Sequence, residues 1–360
     1  MQLVPPEVAA TWPAPNYVDP VSRGPALITV ELVTLSLALI CLSLRLYVKT
    51  FVLRKPNWDD LFMVLATIFG TGVTVTVILA NTRYGWNHHI WDLKLTDLIT
   101  ARKVSFAAQM LYLFSTALAK ISILLSYTSL AVPGTPLDVV SKVTIGLIGA
   151  GQGSFLIVLL TQCIPTSSYW NLARINEDCS VREGSFLMAQ AVFTVLSDLA
   201  VWVLPLPTFY YARLPLGQRV ALIVLFSFGA VVVVAACLRT YWLWWAVGET
   251  WDVTWDAYDE WIWTAVEVHV GITCGCVPWL KSLVGFWRGK HHGSSRSRSA
   301  AAAAASRTRT PSAWTGGESA RSKALRRQES ASPMVELKET ERGRLSDGDT
   351  NINMHPYEGV

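Results

Sequence analysis

The sequence predicts an all-α fold, a polytopic bundle of seven transmembrane helices. The chain is 52% apolar and only 16% charged, whereas soluble proteins carry about a quarter charged residues. Its mean hydropathy is +0.36. The apolar residues are also concentrated in blocks that each match one bilayer thickness, about 20 residues. Together these observations favour an integral membrane protein over a soluble globular domain.

The apolar blocks divide the chain into three regions. The blocks cover residues 25–48, 60–80, 104–130, 140–164, 185–210, 219–247 and 259–283. They form the predicted membrane domain, residues 25–287, which follows an extracellular N-terminal segment, residues 1–24. Residues 288–360 are basic and rich in serine, arginine and alanine. Such a composition cannot bury enough apolar surface to fold, so we expect a disordered tail.

Charged residues in the loops predict the orientation in the membrane. The first loop carries Arg45, Lys49, Arg54 and Lys55, whereas the loop of residues 248–260 is acidic and has no basic residue. Basic loops stay cytoplasmic, so we expect the N-terminus outside, the C-terminus inside and the plasma membrane as the location. The arginines and serines of the tail suit a kinase or another cytoplasmic signalling partner. Nucleic acid is not an expected partner because the core has no basic face with interleaved aromatics.

The cysteines predict one disulfide and no metal site. Cys163 and Cys179 border the same outer loop and face an oxidising compartment, where disulfides persist. We expect a disulfide that rigidifies this loop as a lid over the bundle mouth. Cys274 and Cys276 form a C-G-C pair without the further ligands that a metal site needs. We interpret them as small packing residues, like the four-spaced glycines Gly149/Gly153 and Gly271/Gly275.

Ionisable residues inside the apolar blocks are the candidate functional residues, since charges in a bilayer are rare and expensive. Lys120 lies about 24 Å along its block and Asp198 about 20 Å along another that runs the same way, so we expect them to pair. Arg239 and Glu267 each lie about two turns below the outer end of their apolar block, so we expect a second pair in the outer half of the membrane. Both pairs could serve only to lock helix packing.

The last block holds Glu267 and His269 but has no lysine before Lys281, at its inner end. A retinal protein needs a mid-membrane lysine in its last helix, so we expect no retinal. The sequence contains no zinc-protease, nucleophile-elbow or phosphate-binding loop motif. We therefore expect no enzyme activity and no cofactor. Asp59 and Asp60 open the second helix and are interpreted as N-terminal capping residues.

Short motifs in a fixed order resemble the fungal rhodopsin-domain family, also called the SAT4 family, over about residues 25–287. The motifs are W-D-D at 58–60, R-Y-G-W-N-H-H-I-W-D-L at 83–93, L-Y-L-F-S-T-A-L-A-K-I-S-I-L-L at 111–125, C-x-P at 163–165 with Trp170 and Cys179, D-L-A-V-W-V-L-P at 198–205, R-T-Y at 239–241, D-x-T-W at 252–255 and E-V-H-V-G-I-T-C-G-C-V-P at 267–278. His89 occupies the histidine position of the family's Y-G-x-G-x-H loop, and Asn87 replaces its second glycine.

The resemblance implies a receptor-like seven-helix protein whose topology is similar to that of G-protein-coupled receptors. The leading hypothesis is a sensor of a small extracellular molecule, with Arg239, Glu267 and His269 at the base of an outward pocket. A transporter or membrane-embedded enzyme for an apolar metabolite is the alternative, with Asp198, Glu267 and His269 handling protons. A scaffold without a ligand is a third reading. The chain lacks the D-R-Y-like and N-P-x-x-Y motifs of animal receptors.

Overall fold

The computed structural model describes residues 4–171, 178–207 and 216–306. These residues contain helices and no β-strand, which confirms the all-α prediction. The long helices are α1 Ala26–Tyr47, α2 Trp58–Arg83, α3 Leu95–Leu130, α4 Pro136–Thr161, α5 Glu183–Val203, α6 Leu216–Trp244 and α7 Val253–Ser306. Single-turn helices lie at Pro6–Ala9, Ile90–Asp92 and Thr166–Tyr169, and π-helical turns at Val48–Val52 and Trp245–Glu249.

Among the described residues, six helices, α1 to α6, are long and apolar enough to cross a membrane. Large apolar side chains lie exposed along their outer faces, for example Val143, Leu147 and Ile157 on α4. Water-soluble proteins rarely expose apolar patches of this extent. The seventh helix, α7, is less apolar because it carries Glu267 and His269. Both side chains are buried among neighbouring helices.

Two helices differ from their predicted bounds. Helix α3 begins at Leu95, nine residues before its apolar block, because the polar turn at its start carries Asp97 and no helix breaker. Helix α7 continues to Ser306 and so includes residues 288–306, for which the composition predicts disorder. Six consecutive alanines, residues 300–305, account for this because alanine has the highest helix propensity. Residues 307–360 of the predicted tail lie outside the described residues. By backbone contacts the chain divides into units Met1–Arg296 and Ser297–Val360.

The core lies where α2, α3 and α7 approach one another. A Cβ atom at Gly70 of α2 would lie 3.1 Å from the Ser115 hydroxyl on α3 and 3.2 Å from Val268 on α7. At Gly275 of α7 it would lie 2.3 Å from Met63. These glycines therefore permit the close packing of the three helices. Gly149 and Gly153 on α4, which we predicted as packing glycines, have no neighbour within 4 Å of an added Cβ.

A buried ion cluster fastens α1 to α2 at one end of the bundle. Arg45 contacts Asp59 at 2.6 Å and Asp60 at 3.0 Å, and Lys49 contacts the same carboxylates at 2.6 and 3.0 Å. Arg45 also donates to the Gly275 carbonyl of α7 at 2.7 Å. Asp60 accepts a capping bond from the Asn57 amide, as expected, but capping is only part of its role. Arg45 and Lys49, counted above as loop residues, are helical and neutralised, so Arg54 and Lys55 alone remain as basic residues of that loop.

An aromatic cluster closes the opposite end and contains His89. Its imidazole stacks between Trp91, at 4.4 Å, and Trp255, at 3.9 Å between ring centroids. The Asp252 carboxylate bonds the His89 ring at 2.5 Å and accepts from the Ile90 amide at 2.9 Å. His89 thus joins the loop after α2 to the start of α7. Nothing in this geometry places it beside the other candidate residues.

Candidate functional site

The candidate site is a cavity of about 50 Å³ between α3, α5, α6 and α7. Most of its wall is apolar, and charged groups enter from three of the helices. Its lining includes Lys120, Asp198, Trp202, Glu267 and Gly271. Apolar pockets with a few convergent polar groups are the usual form of small-molecule sites.

Lys120 of α3 and Asp198 of α5 form the first ion pair beside this cavity. The Lys120 ammonium lies 3.1 Å from the Asp198 carboxylate, and the two residues are 5% and 7% exposed. The ammonium also donates to the Ser197 hydroxyl at 2.7 Å and to the Thr194 carbonyl at 3.3 Å. The ammonium thus makes two hydrogen bonds to α5, and its contact with Asp198 Oδ2 is an ion pair without an aligned hydrogen bond. The structure brings together the two residues whose helical depths predicted a pair.

Arg239 of α6 and Glu267 of α7 form the second pair. The Arg239 Nε donates to Glu267 Oε2 at 2.7 Å, and the Tyr112 hydroxyl of α3 donates to Oε1 at 2.5 Å. The guanidinium also lies over the Tyr112 ring, 5.0 Å from its centroid. Its Nη2 is buried without a hydrogen-bond partner. Each of the two cations is thus paired with a carboxylate, as buried charges require.

His269 does not belong to this site, which corrects the predicted grouping of Arg239, Glu267 and His269. Residues two apart on an α-helix point about 200° apart, so Glu267 and His269 face different neighbours. The imidazole of His269 instead bonds Thr34 of α1 at 3.0 Å and Thr74 of α2 at 3.2 Å. Helical spacing in the sequence was sufficient to separate the two residues.

The disulfide loop precedes α5 and lies at the end of the bundle away from the cavity. Cys163 and Cys179 form the disulfide, and the loop packs on Phe106, Leu113 and Phe186. Arg102 of α3 holds it by donating to the Tyr169 carbonyl at 2.8 Å. Burial, followed by the nearby Glu183 charge, raises the pKa of the Tyr169 phenol well above its usual range.

No residue of this loop among those described lines the cavity. The cavity's α5 residues, from Asp198 to Trp202, lie in the last third of that helix, away from the loop. The pocket is therefore not the outward, loop-capped pocket predicted from the sequence. The loop packs there on side chains of α3, α4 and α5, a contact that composition alone could not reveal.

Glu31 of α1 is a functional candidate that the sequence interpretation missed. It is fully buried and accepts a hydrogen bond from Thr74 at 2.7 Å. The sequence did carry a signal for Glu31, because an acidic residue inside an apolar block is rare. For Tyr112 and Ser197, which bond the two ion pairs, the sequence carries no comparable signal. Within the described ranges, no group of three or more His, Cys, Asp or Glu side chains is arranged to hold a metal ion.

A family model for the fungal rhodopsin domain matches residues 44–286. The chain belongs to this family. The match confirms the resemblance inferred from the ordered motifs, and it runs from the end of α1 into α7. Together with the apolar helices, membership of the fungal rhodopsin domain family makes this a multi-pass membrane protein. Glu31 lies before the matched range.

Curated relatives of this fungal rhodopsin domain chain come from filamentous fungi. It is 23% identical to the "Fugralins biosynthesis cluster protein 2" of Gibberella zeae over 278 residues, covering 75% of this chain and 68% of that protein. It is 22% identical to the "Polyenoic acids biosynthesis gene cluster protein Ba17b" of Metarhizium anisopliae, covering 67% and 68%. It is 24% identical to the "Wortmanamides biosynthesis cluster protein C" of Talaromyces wortmannii, covering 71% of each. No solved structure matches the chain.

Proposed function

We propose that this protein is a receptor-like membrane protein that binds a small, largely apolar molecule between α3, α5, α6 and α7. The observation that carries the proposal is the cavity itself, with apolar walls and the Lys120–Asp198 and Glu267 groups at its polar side. Apolar walls would bind hydrocarbon, and the charged groups would orient a polar end of the ligand. The site's distance from the disulfide loop favours a ligand that arrives through the bilayer over one that enters at the loop.

In this proposal α7 is the seventh span. Its only charged side chain between Trp261 and Trp279 is Glu267, which is paired with Arg239, and His269 is likewise bonded to other helices. Seven spans put the two termini on opposite sides. Arg54 and Lys55 in one connection and the acidic loop before α7 support the N-terminus outside and the C-terminus in the cytoplasm. We propose the plasma membrane as the location and the cytoplasmic tail as the contact for a kinase or signalling partner.

The size of the cavity supports a sensing role. A cavity of about 50 Å³ holds a few water molecules, whereas ligand pockets usually enclose about 300–1,000 Å³. A metabolite could enter only if α6 moved from α3 and α5, for instance by releasing the bond from Trp202 Nε1 to the Phe226 carbonyl, 3.1 Å. Binding would then favour a second helix arrangement, which is how a receptor reports its ligand.

We infer that retinal is not the ligand. Lys120 is the lysine that lines the cavity, and its ammonium donates to Ser197 and Thr194 and forms an ion pair with Asp198. A protonated Schiff base at Lys120 would keep only one N–H, so it could not donate to both Ser197 and Thr194. The bonding of Lys120 therefore supports a ligand held without a covalent bond.

A transporter or membrane-embedded enzyme for an apolar secondary metabolite is the second candidate. The names of these three relatives place those proteins in biosynthesis clusters. A protein that accompanies a pathway could move or convert its product as well as sense it. Asp198 and Glu267 would then supply or accept protons at the cavity wall.

The test is a ligand screen with a cavity-filling variant. The purified full chain is heated with fungal metabolite fractions, because a ligand that binds the folded state raises its melting temperature. Gly271 lines the cavity, and an added Cβ there meets nothing within 4 Å, so Gly271→Val should fill the site without a backbone clash. Gly149→Val, on α4 with equally open space, is the matched control.

We expect stabilisation of the wild type and Gly149→Val and its loss in Gly271→Val. Equal stabilisation of all three would refute the proposed site. Each active fraction is then tested for flux into liposomes and for chemical turnover. Stabilisation without either supports a receptor, whereas flux or turnover establishes the second candidate.

A further inference from the structure

A second polar site lies on the other side of α7, between α1 and α2. Glu31, Thr74 and His269 meet there, and both ionisable side chains are fully buried. The Thr74 hydroxyl lies 2.7 Å from Glu31 Oε2 and 3.2 Å from His269 Nε2. Nδ1 of the imidazole lies 3.0 Å from the Thr34 hydroxyl. Glu31 Oε1 is buried and has no hydrogen-bond partner.

Counting hydrogens limits the protonation states of this site. If the Thr34 hydroxyl donates to the Val30 carbonyl at 2.7 Å, it accepts from His269 Nδ1. The Thr74 hydroxyl has one proton and two neighbours that can accept it. If His269 is doubly protonated, Nε2 donates to Thr74, and Thr74 donates to the Glu31 carboxylate. If Glu31 is protonated on Oε2 instead, it donates to Thr74, and Thr74 donates to Nε2.

Both arrangements fill the same hydrogen bonds, contain the same number of protons and have no net charge. They differ by two short transfers, one between Thr74 and Nε2 and one between Thr74 and Glu31. With one proton fewer, the buried Glu31 carboxylate would be charged and His269 neutral, so the carboxylate would lack a cation. With one proton more, the site would carry a positive charge. Isolated buried charges are strongly unfavourable.

The other charged groups on the packed helices are already engaged elsewhere. Glu267 of α7 is held by Arg239 and Tyr112 on the opposite face of the helix. On α1 and α2 the remaining buried charges are Arg45, Lys49, Asp59 and Asp60, which neutralise one another. Among the described residues, the basic group within ion-pair distance of Glu31 is the His269 imidazole, 4.0 Å away. The site must therefore balance its own charge.

We propose that Glu31, Thr74 and His269 form a binding site for a single proton, which the carboxylate and the imidazole share through the Thr74 hydroxyl. The proton fastens α1, α2 and α7 to one another, and its loss leaves an unpaired carboxylate between them. The packing of these helices therefore depends on pH. The site shares no side chain with the cavity between α3, α5, α6 and α7, so this inference stands apart from the receptor proposal.

The experiment measures the melting temperature of the full chain in lipid nanodiscs from neutral to alkaline pH. We expect wild type to lose about 4–12 °C when the proton leaves, because a buried charge then lacks its hydrogen-bonded partner. Glu31→Gln has no charge to expose, so its curve should be flat over the same range. Thr76→Val is the matched control for Thr74→Val, since Thr76 bonds only carbonyls of its own helix. Thr76→Val should follow wild type, and Thr74→Val should be less stable at neutral pH.

A second measurement uses the wild type alone, so it does not depend on whether a variant folds. Infrared spectra are recorded of protein that carries carboxyl-labelled glutamate and ring-labelled histidine. A protonated carboxyl or an imidazolium band should be present at neutral pH and disappear at alkaline pH. Absence of both bands at neutral pH would overturn the proposal, as would a wild-type pH curve that Glu31→Gln reproduces. Stabilisation by sodium over choline, lost in Glu31→Gln, would show a metal cation in place of the proton and would equally overturn it.

Discussion

Neutralising Glu267 should destabilise the bundle strongly, and neutralising Arg239 with it should restore much of the loss. Both residues are nearly inaccessible, at 3% and 4% exposure, and Arg239 Nε donates directly to the carboxylate. Glu267→Gln keeps an oxygen that can accept from the Tyr112 hydroxyl. It removes the counter-charge of the guanidinium, whose Nη2 already lacks a partner. The perturbation is therefore mainly the loss of charge balance.

The expected cost follows from that imbalance. Removing one partner of a buried ion pair costs about 3–5 kcal/mol, whereas replacing both partners is often close to neutral. At about 2–4 °C per kcal/mol, Glu267→Gln should lower the melting temperature by roughly 6–20 °C. Arg239→Gln alone should have a similar effect. The double variant should lose clearly less than the sum of the two.

The assay is a double-mutant cycle on thermal unfolding in one detergent, which isolates the pairwise term. Lys142→Gln is the control, because Lys142 is 65% exposed in its pair with Asp138 and such pairs contribute about 0–1 kcal/mol. If the losses of Glu267→Gln and Arg239→Gln simply add, the two charges are not coupled. The assignment of this pair as a buried, balanced unit would then be refuted.

Three further predictions use the same unfolding assay. Cys163→Ser should lower stability by about 3 kcal/mol, since the disulfide with Cys179 closes a 16-residue separation, and a reductant should have no further effect on that variant. Asp59→Asn should cost about 3–5 kcal/mol by leaving two buried cations with one carboxylate; an effect as small as that of Lys142→Gln would contradict the ion cluster. Gly275→Ala should cost about 1–3 kcal/mol because its Cβ would lie 2.3 Å from Met63, whereas Gly149→Ala, in open space, should stabilise by about 0.5–1 kcal/mol.

The sequence predicted those features that depend on distance along a helix. Lys120 and Asp198 lie at matching depths in helices that run the same way, and the structure places them 3.1 Å apart. Arg239 and Glu267 also lie at matching depths, and they form an ion pair. Depth follows from 1.5 Å of rise per residue, so it needs no knowledge of the neighbouring helices.

Features that depend on which helix faces which were beyond that reasoning. Arg45 and Lys49 looked like loop charges because they lie at the end of an apolar block. Arg45 instead belongs to the last turn of α1 and Lys49 to the π-helical turn that continues it, and both contact Asp59. The cavity was misplaced because no pattern in one sequence shows that the disulfide loop packs tightly on Phe106 and Phe186. Helix ends were also hard to predict. The apolar pattern indicates which residues contact lipid or the core, but a helix can continue beyond those residues.

The order E-V-H-V-G on α7 explains how one helix serves two separate sites. Gly271 is four residues after Glu267, so the cavity and its carboxylate share a face. His269, two residues from each, points about 200° away and meets Glu31 and Thr74. A substitution on one face therefore leaves the side chains of the other in place. This separation lets Gly271→Val test ligand binding and Thr74→Val test the proton site independently in the same protein.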